Sequence, residues 1–360
     1  MKNEIPVQSF DSGRVMSRQQ VWKVIALTLF FCGWQLSGAR GVTFTPFVDI
    51  TNSVYIQPQA INPAGVVTGW YYFADFRFHH GFVRALDGTI TTFDLGSDTQ
   101  PQAINQAGTI TGFYTDQFGS IQGFVRAPNG NVTTLKFSSN VQAFGITPAG
   151  ATTGTYLNSG IFSGFILSPG ATLPTSFDVP SQGTPVTVTA ANGINPAGAV
   201  TGYYNDSSGQ HGFLRTNGGS FIVFDPQGSG VFTRVSFPVA INSAGTITGY
   251  YQDINVNTHG FIRASNGNLT TIDGLNLPMA ISTTHALAIN PAGTIVGDYT
   301  DVNGTLHGFI LPPGATIPTA LDVPFTGATG TAARAINPTG VITGYYFDAN
   351  NIGHGFLRIP

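Results

Sequence analysis

Most of the chain alternates apolar and polar residues in short runs, which are separated by turns rich in Gly, Asn and Asp. The run Thr91-Thr92-Phe93-Asp94, for example, follows a turn at Asp87-Gly88. Alternation with a period of two, β-branched and aromatic residues and Gly-bearing turns are typical of short β-strands. No segment after residue 39 shows a sustained helical period. The pattern therefore predicts an all-β protein.

The pattern also repeats along the chain. The segment from Ala60 to Gly69 (AINPAGVVTG) returns six more times with few changes, and the copies begin near residues 60, 103, 145, 193, 240, 288 and 335. Each copy continues with an aromatic pair, a turn that opens with Asp or Asn, a His-Gly-Phe motif or a variant of it, and a second Gly-bearing turn. We therefore expect four short strands in each unit.

Four strands in a repeat of 42 to 48 residues are typical of one blade of a β-propeller. The last copy ends at Pro360, one strand short of a full blade, whereas residues 42–49 (VTFTPFVD) resemble an unmatched fourth strand. We therefore expect residues 40–360 to form a single domain, a seven-bladed β-propeller of four-stranded blades whose ring is closed by an N-terminal strand. An open β-solenoid, which needs no such strand, is the alternative.

The turn at Asp87-Gly88 predicts how the third and fourth strands pair. If this turn has two residues, Phe82 lies opposite Phe93, and the Phe of each His-Gly-Phe motif packs between blades. The turn between the first and second strands then lies at the same end of the blade as the Asp-Gly turn. The Asp-containing loops and the variable loops between blades lie at the other end.

The first 39 residues differ from the rest of the chain. Basic residues precede an uncharged apolar run from Val24 to Trp34, and the small-residue pattern Ser37-Gly38-Ala39 follows it. This order is typical of a secretory signal peptide with cleavage after Ala39. The alternative, a membrane anchor, is disfavoured because the run is shorter than the roughly 20 residues that a spanning helix needs. We therefore expect an extracellular protein without a membrane span, whose start is either Met1 or Met16.

Composition limits the classes of function. Only 9% of the residues are charged, and a formal net charge of -3 offers no basic surface for a nucleic acid. A hydrophobic content of 42% is enough for a large core. After cleavage the chain would lack both Cys32 and Glu4, the only residues of their types. Disulfides and thiolate chemistry are thereby excluded for the secreted form.

The repeat motifs resemble those of the bacterial extracellular repeats known as the HAF family. Units of that family carry Ile-Asn-x-x-Gly-x-aliphatic-x-Gly followed by His-Ala-Phe. Residues 61–69 match the first motif, and the second is His-Gly-Phe at His80, His211, His259, His307 and His354. The likeness runs from about residue 42 to residue 360. It implies secretion and a repeat architecture, and since the family is uncharacterised it implies no activity.

The candidate binding residues are the His of this motif and the Asp of the neighbouring loops, which share one end of the expected blades. His beside carboxylates can bind a metal or transfer protons. The repeat spreads these groups around a ring, and Gln122 and Ser163 replace the His in two units, which favours a role in stabilising each blade. The candidates are Asp75, His80, Asp116, Asp206, His211, Asp253, His259, Asp301, His307, Asp348 and His354.

Two of these loops, at residues 253–257 and 301–304, resemble partial calcium loops. Calcium takes about six to eight oxygen ligands, often including a bidentate Glu. Each loop has one Asp and no following Glu. We expect no cofactor, with weak calcium binding as the alternative.

The sequence lacks a nucleophile elbow, a zinc-protease motif, a P-loop and a dinucleotide fingerprint. This favours a secreted binding or scaffolding protein that contacts a polysaccharide or a cell-surface protein through the variable-loop end. The alternative is an extracellular hydrolase or lyase that uses Asp and His in the central funnel. An enzyme would need one unique polar cluster at the axis. The loop before the sixth unit, which contains His285, is the most irregular and is the first place to look for it.

Overall fold

The computed structural model describes residues 41–47, 50–75, 77–181, 183–226, 235–273 and 283–360. The predicted signal peptide, residues 1–39, lies outside these ranges. The described residues form β-strands, turns and loops, and no helix, so the all-β prediction is confirmed. Within the same ranges there is accordingly no helix of the length and apolarity needed to cross a membrane.

The strands follow the repeat units, and we number them in chain order. A single strand, β1 (Thr43–Pro46), precedes the first unit. The first three units contain β2 (Ser53–Ile61), β3 (Val67–Phe73), β4 (His80–Arg84) and β5 (Ile90–Phe93); β6 (Ser97–Ile104), β7 (Ile110–Thr115), β8 (Ile121–Arg126) and β9 (Val132–Leu135); and β10 (Val141–Ile146), β11 (Thr152–Asn158), β12 (Ile161–Leu167) and β13 (Thr175–Phe177).

The remaining units continue the same order. They contain β14 (Val188–Ile194), β15 (Val200–Asp206), β16 (Gly209–Arg215) and β17 (Phe221–Phe224); β18 (Val235–Ile241), β19 (Ile247–Gln252), β20 (Thr258–Arg263) and β21 (Leu269–Ile272); β22 (Thr284–Ile289), β23 (Ile295–Thr300), β24 (Leu306–Leu311) and β25 (Thr319–Leu321); and β26 (Gly330–Ile336), β27 (Ile342–Phe347) and β28 (Gly353–Ile359).

Consecutive strands of a unit pair antiparallel, so each unit is a meander. The last unit has three strands of its own. Strand β1 pairs antiparallel with β28, from Thr43 opposite Ile359 to Pro46 opposite Phe356. The N-terminal strand therefore lies where the other units have their fourth strand.

The turn between the third and fourth strands is longer than the sequence analysis expects. In the first unit the loop spans residues 86–88, Gly88 N donates to Ala85 O at 3.0 Å, and Gly88 has a φ of 92°. This is a three-residue hairpin loop that ends in a left-handed residue, the conformation for which Gly is favoured. The additional residue places Gly81, and not Phe82, opposite Phe93. The predicted register is therefore wrong by one residue.

A β-bulge interrupts the pairing of the first and second strands in every unit. In the fourth unit the register shifts between Ala191 and Gly193. The bulge presses the first strand against the second, so that a Cβ on Gly202 would overlap the carbonyl oxygen of Ala190. This close approach explains why every copy of the repeat has a Gly at that position.

The Phe of the His-Gly-Phe motif and its variants forms the core between units. Phe124 packs against Phe93 on the fourth strand of the preceding unit, with ring centroids 6.1 Å apart and an interplanar angle of 83°. The guanidinium of Arg126 lies over the same Phe93 ring, 4.7 Å from its centroid. These Phe have no exposed surface: Phe82, Phe124, Phe165, Phe213, Phe261, Phe309 and Phe356.

The Asn in the first turn of the repeat connects neighbouring units. The Asn62 Oδ1 atom accepts a hydrogen bond from Val66 N at 2.9 Å, which closes its own turn. Its Nδ2 donates to the backbone oxygen at the same position of the next unit, Asn105 O, at 3.4 Å. Asn337 in the last unit donates to Asn62 O at 3.2 Å. The same bond is made by Asn105, Asn195, Asn242 and Asn290.

Candidate functional site

The predicted His and Asp residues contact each other within single units. In the fourth unit, His211 Nδ1 is 2.7 Å from Asp225 Oδ2, and its Nε2 is 3.4 Å from Asp206 Oδ1 in the loop. The imidazole packs on Tyr204, with ring centroids 5.1 Å apart. The side chain therefore ties the third strand to the loop and to the end of the fourth strand.

The other units vary this arrangement. His259 and His307 contact two carboxylates, Asp253 with Asp273 and Asp301 with Asp322; His80 contacts Asp94, and His354 contacts Asp348. Where the His is replaced, Gln122 donates to Asp116 at 3.2 Å and Ser163 donates to Asp178 at 3.1 Å. These contacts fit a role in stabilising each unit. A role of the same residues in ligand binding stays a prediction.

The Asp residues in the loops cap turns. Asp253 Oδ1 accepts hydrogen bonds from the backbone nitrogens of Asn255 and Asn257, both at 2.8 Å. Asp75 is exposed and accepts one bond, from Arg77 N at 3.3 Å. In the part of the chain that the structure describes, no group of three or more His, Cys, Asp or Glu could hold a metal ion. The weak calcium site stays a prediction.

Hydrogen bonds lower the pKa values of Asp206 and Asp301. The backbone N–H of Thr305 is the main cause of the lowered pKa of Asp301. The hydroxyl of Ser208, which donates to Asp206 Oδ1 at 2.6 Å, is the main cause that lowers the pKa of Asp206 to about 2. The charged forms of Asp206 and Asp301 are therefore the forms that the fold stabilises.

A different set of residues lines a cavity of about 290 Å³ between the first strands of the units, which we call the central cavity. Each unit contributes the side chain three positions before the repeated Asn, or before Thr147 where the Asn is replaced. Ala288 and Ala335 complete the lining. The seven side chains are Gln59, Gln102, Phe144, Asn192, Val239, Leu287 and Arg334. They comprise three amides, three apolar groups and one guanidinium.

Arg334 connects the central cavity to a His-Asp pair. Its Nη2 donates to Gln59 Oε1 at 3.5 Å, and its Nη1 is 3.9 Å from Asp298 Oδ2. The other oxygen of Asp298, Oδ1, is 2.7 Å from His285 Nδ1. The Asp298 side chain is 8% exposed and the His285 side chain 32%. One buried carboxylate thus contacts both an imidazole and a guanidinium.

The repeat register explains why this group forms in one unit. His285 and Asp298 lie directly opposite each other on the first and second strands of the sixth unit. At the position of Asp298 the other units have Trp70, Phe113, Thr155, Tyr203, Tyr250 and Tyr345. At the position of His285 they have Gln57, Gln100, Gln142, Ala190, Phe237 and Ala332. His285 was a predicted candidate and lies on strand β22, whereas Asp298 and Arg334 were not predicted. The signal that could have revealed Asp298 is a carboxylate at a position that is aromatic in most units.

Aromatic rings surround the His-Asp pair. Tyr250 packs edge-on against His285 with centroids 4.6 Å apart, and it stacks on Phe237 at 5.0 Å. Phe237 in turn packs edge-on against Tyr203 at 5.4 Å. Burial raises the pKa of Tyr250, and the charge of Arg334 opposes this rise. The phenol of Tyr250 is therefore close enough to the guanidinium of Arg334 to interact with its charge.

A second aromatic group is centred on Tyr55 in the first unit. The centroid of the Tyr55 ring is 5.1 to 5.8 Å from those of Trp70, Tyr72, Tyr345 and Phe347. Burial raises the pKa of Tyr55, and the charge of Arg334 again opposes the rise. Arg334 is therefore the cation that both aromatic groups share.

A second His outside the repeat motif lies beside this aromatic group. His79 Nδ1 is 2.8 Å from Asp98 Oδ1, and its ring packs edge-on against Trp70 at 4.4 Å. The sequence analysis did not single out this pair, because its two residues belong to successive units.

No known protein family and no curated protein matches the sequence. Solved structures do match in fold. The structure of virginiamycin B lyase from Staphylococcus aureus, made catalytically inactive by replacing a His and bound to quinupristin, matches 89% of this chain and 100% of its own, with a TM-score of 0.57 at 14% identity. An acylaminoacyl peptidase from Pyrococcus horikoshii has a TM-score of 0.55 at 9% identity, with 84% of this chain and 51% of that chain covered.

These neighbours are β-propeller-type proteins. At such low identity the likeness concerns the fold alone. The described chain is thus an all-β protein of β-propeller type.

Proposed function

We propose that the protein is a secreted seven-bladed β-propeller, closed by strand β1, that binds its ligand at the central cavity. The pairing of β1 with β28 and the hydrogen bond from Asn337 to Asn62 O support closure, because both connect the last unit to the N-terminal end of the ring. The leader pattern in residues 1–39 and the likeness to an extracellular repeat family support secretion.

The proposal of binding rests on one observation, which is that the residue type at the seven cavity positions differs between units. Positions that the fold requires have the same residue type in nearly every unit, as the Asn, Gly and Phe of the repeat do. The cavity positions hold Gln, Phe, Asn, Val, Leu and Arg in otherwise equivalent places. Since unit geometry does not dictate these side chains, they are the residues available to recognise a ligand.

The cavity residues favour a saccharide that carries a carboxylate, and we propose a uronate polysaccharide as the ligand. The ring of Phe144, which lines the cavity, offers a flat apolar face to a sugar ring. The amides of Gln59 and Gln102 can bond to hydroxyl groups. Arg334 presents a planar fork of donors that matches a carboxylate.

The test is binding of polygalacturonate and alginate, with dextran as the neutral polymer, measured by the thermal shift of the protein and by calorimetry. We expect both uronate polymers, and not dextran, to raise the Tm, with or without EDTA. Arg334→Gln, which introduces the residue that two other units have at this position, should weaken uronate binding about 10- to 100-fold, since hydrogen bonds between charged groups contribute about 1.5 to 3 kcal/mol.

A matched control is Arg263→Leu, because Leu167 and Leu311 occupy the same position in two other units. Arg263 lies over Phe224, 5.1 Å from its centroid, and does not line the central cavity. We expect this variant to bind uronate like the parent. If His211→Gln abolished binding while Arg334→Gln did not, the site would instead be the ring of His and Asp at the variable-loop end.

A further inference from the structure

We infer that the protein also cleaves a uronate bound at the central cavity by β-elimination, with His285, which is connected to the cavity residue Arg334 through Asp298, as the proton acceptor. This inference rests on the proposed function, because it requires that a uronate occupies the cavity. It is carried by the contacts that join His285, Asp298 and Arg334.

The contact with Asp298 determines which nitrogen of His285 is available. Because Nδ1 is 2.7 Å from an oxygen of a carboxylate, which accepts hydrogen bonds, Nδ1 carries the ring proton and donates a hydrogen bond to Asp298. The lone pair of the neutral imidazole is then on Nε2. Among the described residues, none makes a hydrogen bond to Nε2, and the side chain is 32% exposed. His285 is thus oriented as a base whose reactive nitrogen is accessible.

Arg334 supplies the second requirement of the reaction. The proton on the carbon next to a carboxylate is only weakly acidic, and its removal becomes easier when a cation stabilises the negative charge that develops on the carboxylate. Arg334 lines the cavity and contacts the same Asp298 that orients His285. Elimination at this site requires that a substrate carboxylate on the guanidinium directs its neighbouring C–H bond toward the imidazole, which one carboxylate separates from Arg334.

The elimination balances without any other reactant. His285 Nε2 takes the proton from the carbon next to the carboxylate, and the electron pair of that C–H bond forms a double bond to the adjacent ring carbon. The bond from this adjacent carbon to the glycosidic oxygen breaks, and its electron pair stays on the oxygen. The oxygen then takes the proton from the imidazolium. The products are a chain end with a hydroxyl group and an unsaturated uronate, and no water is consumed.

The residues of the site favour elimination over hydrolysis of the same bond. Most glycoside hydrolases use two carboxyl groups that flank the bond. In the described part of the site Asp298 is the one carboxylate, and it is 8% exposed and in contact with His285 and Arg334. Elimination needs one base and one cation beside the substrate, which this group of three residues provides.

The test follows the ultraviolet absorbance of the conjugated double bond during incubation with polygalacturonate or alginate, and measures binding of the same polymers by calorimetry. We expect the absorbance to rise with the parent protein. His285→Gln should slow this rise by about 10²- to 10⁴-fold, the usual contribution of a general base, with binding retained. Gln57, Gln100 and Gln142 occupy the same position in other units, so we expect this variant to fold. The Arg263→Leu control should react at the parent rate.

The other possible outcomes would exclude either the elimination alone or both the elimination and the binding function. Binding of the polymers without any unsaturated product would overturn the elimination and leave the binding function intact. Product formed equally fast by His285→Gln would also overturn it, because the base would then lie elsewhere. Neither binding nor product would overturn both proposals.

Discussion

At the scale of single residues, the Asp206 carboxylate stabilises the fold in its charged form. Asp206 accepts hydrogen bonds from both the hydroxyl and the backbone N–H of Ser208, at 2.6 and 2.7 Å. Its pKa in the folded protein, about 2, is below its ordinary value of 3.8. The stabilisation is therefore fully present above pH 3.8, and it is lost as the pH falls through about 2.

Asp206→Asn tests this dependence, because Asn keeps an oxygen acceptor and removes the charge. We expect the variant to have a lower free energy of unfolding than the parent at neutral pH. The difference should shrink as the pH falls below 3.8 and should vanish near pH 2. Urea unfolding at a series of pH values measures it. A difference that does not change with pH would mean that the charge of Asp206 does not stabilise the fold.

At the scale of elements, the turn between the first and second strands has two separable functions. Asn242 Oδ1 accepts from Thr246 N at 3.0 Å within its own turn, and Nδ2 donates to Asn290 O of the next unit at 3.3 Å. Thr147, at the same position, accepts from Ala151 N at 3.0 Å through its hydroxyl. Thr therefore retains the bond that closes the turn but has no amide to reach the next unit.

Two substitutions at one position separate these functions. Asn242→Thr should lose the bond between units and lower the free energy of unfolding by about 1 kcal/mol. Asn242→Ala should lose the bond between units and also the two bonds that Oδ1 accepts within the turn, from Ala244 N and Thr246 N, and lower it by about 2 to 3 kcal/mol. Chemical denaturation of both variants gives the comparison. Equal losses would show that the hydroxyl of Thr does not replace the amide oxygen in the turn.

The elements themselves were predictable from the sequence, whereas the pairing of two of them was not. The repeated Gly and Phe reflect packing that is the same in every unit, so they mark the second and third strands directly. The Asp87-Gly88 dipeptide is compatible with hairpin loops of two or three residues. The sequence analysis assumed two, and the three-residue loop shifted Phe93 from Phe82 to Gly81.

The candidate site was predictable only in part, because its residues are distant in sequence. The irregular sequence before the sixth unit pointed to His285, although this residue lies on strand β22 and not in a loop. Asp298 lies opposite His285 only because the first and second strands of the sixth unit pair in this register, which a bulge between Ala286 and Ala288 shifts. Arg334 comes from the next unit. A search for motifs of fixed spacing does not bring these three residues together. Their proximity becomes visible only when the pairing of the strands is known.

At the scale of the whole molecule, Phe47 tests whether the N-terminal strand completes the ring. Phe47, just after β1, is 5% exposed and packs against Phe82 of the first unit with centroids 6.3 Å apart. Phe177, on the fourth strand of the third unit, is 8% exposed and packs against Phe213 at 6.2 Å. The two rings therefore have equivalent places, although one belongs to the opposite end of the chain from the unit that it completes.

We expect Phe47→Ala and Phe177→Ala to destabilise the protein equally, each by about 3 to 5 kcal/mol, which is usual for removal of a buried Phe. Urea unfolding of the two variants under the same conditions measures the losses. A much smaller loss for Phe47→Ala would mean that the seventh unit is stable without the N-terminal strand, and closure of the ring by that strand would then be wrong.

Seven side chains of the central cavity come one from each unit, and their positions are distinct from those of the Asn, Gly and Phe that build the units. A single codon change at one of them therefore alters the surface that we propose contacts the ligand, while leaving the determinants of folding as they are. After gene duplication, descendants of such a protein can diverge in specificity by successive single substitutions, each of which passes through a folded intermediate. Variation among relatives should accordingly concentrate at the seven wall positions, and natural selection can act on ligand choice with little opposition from stability.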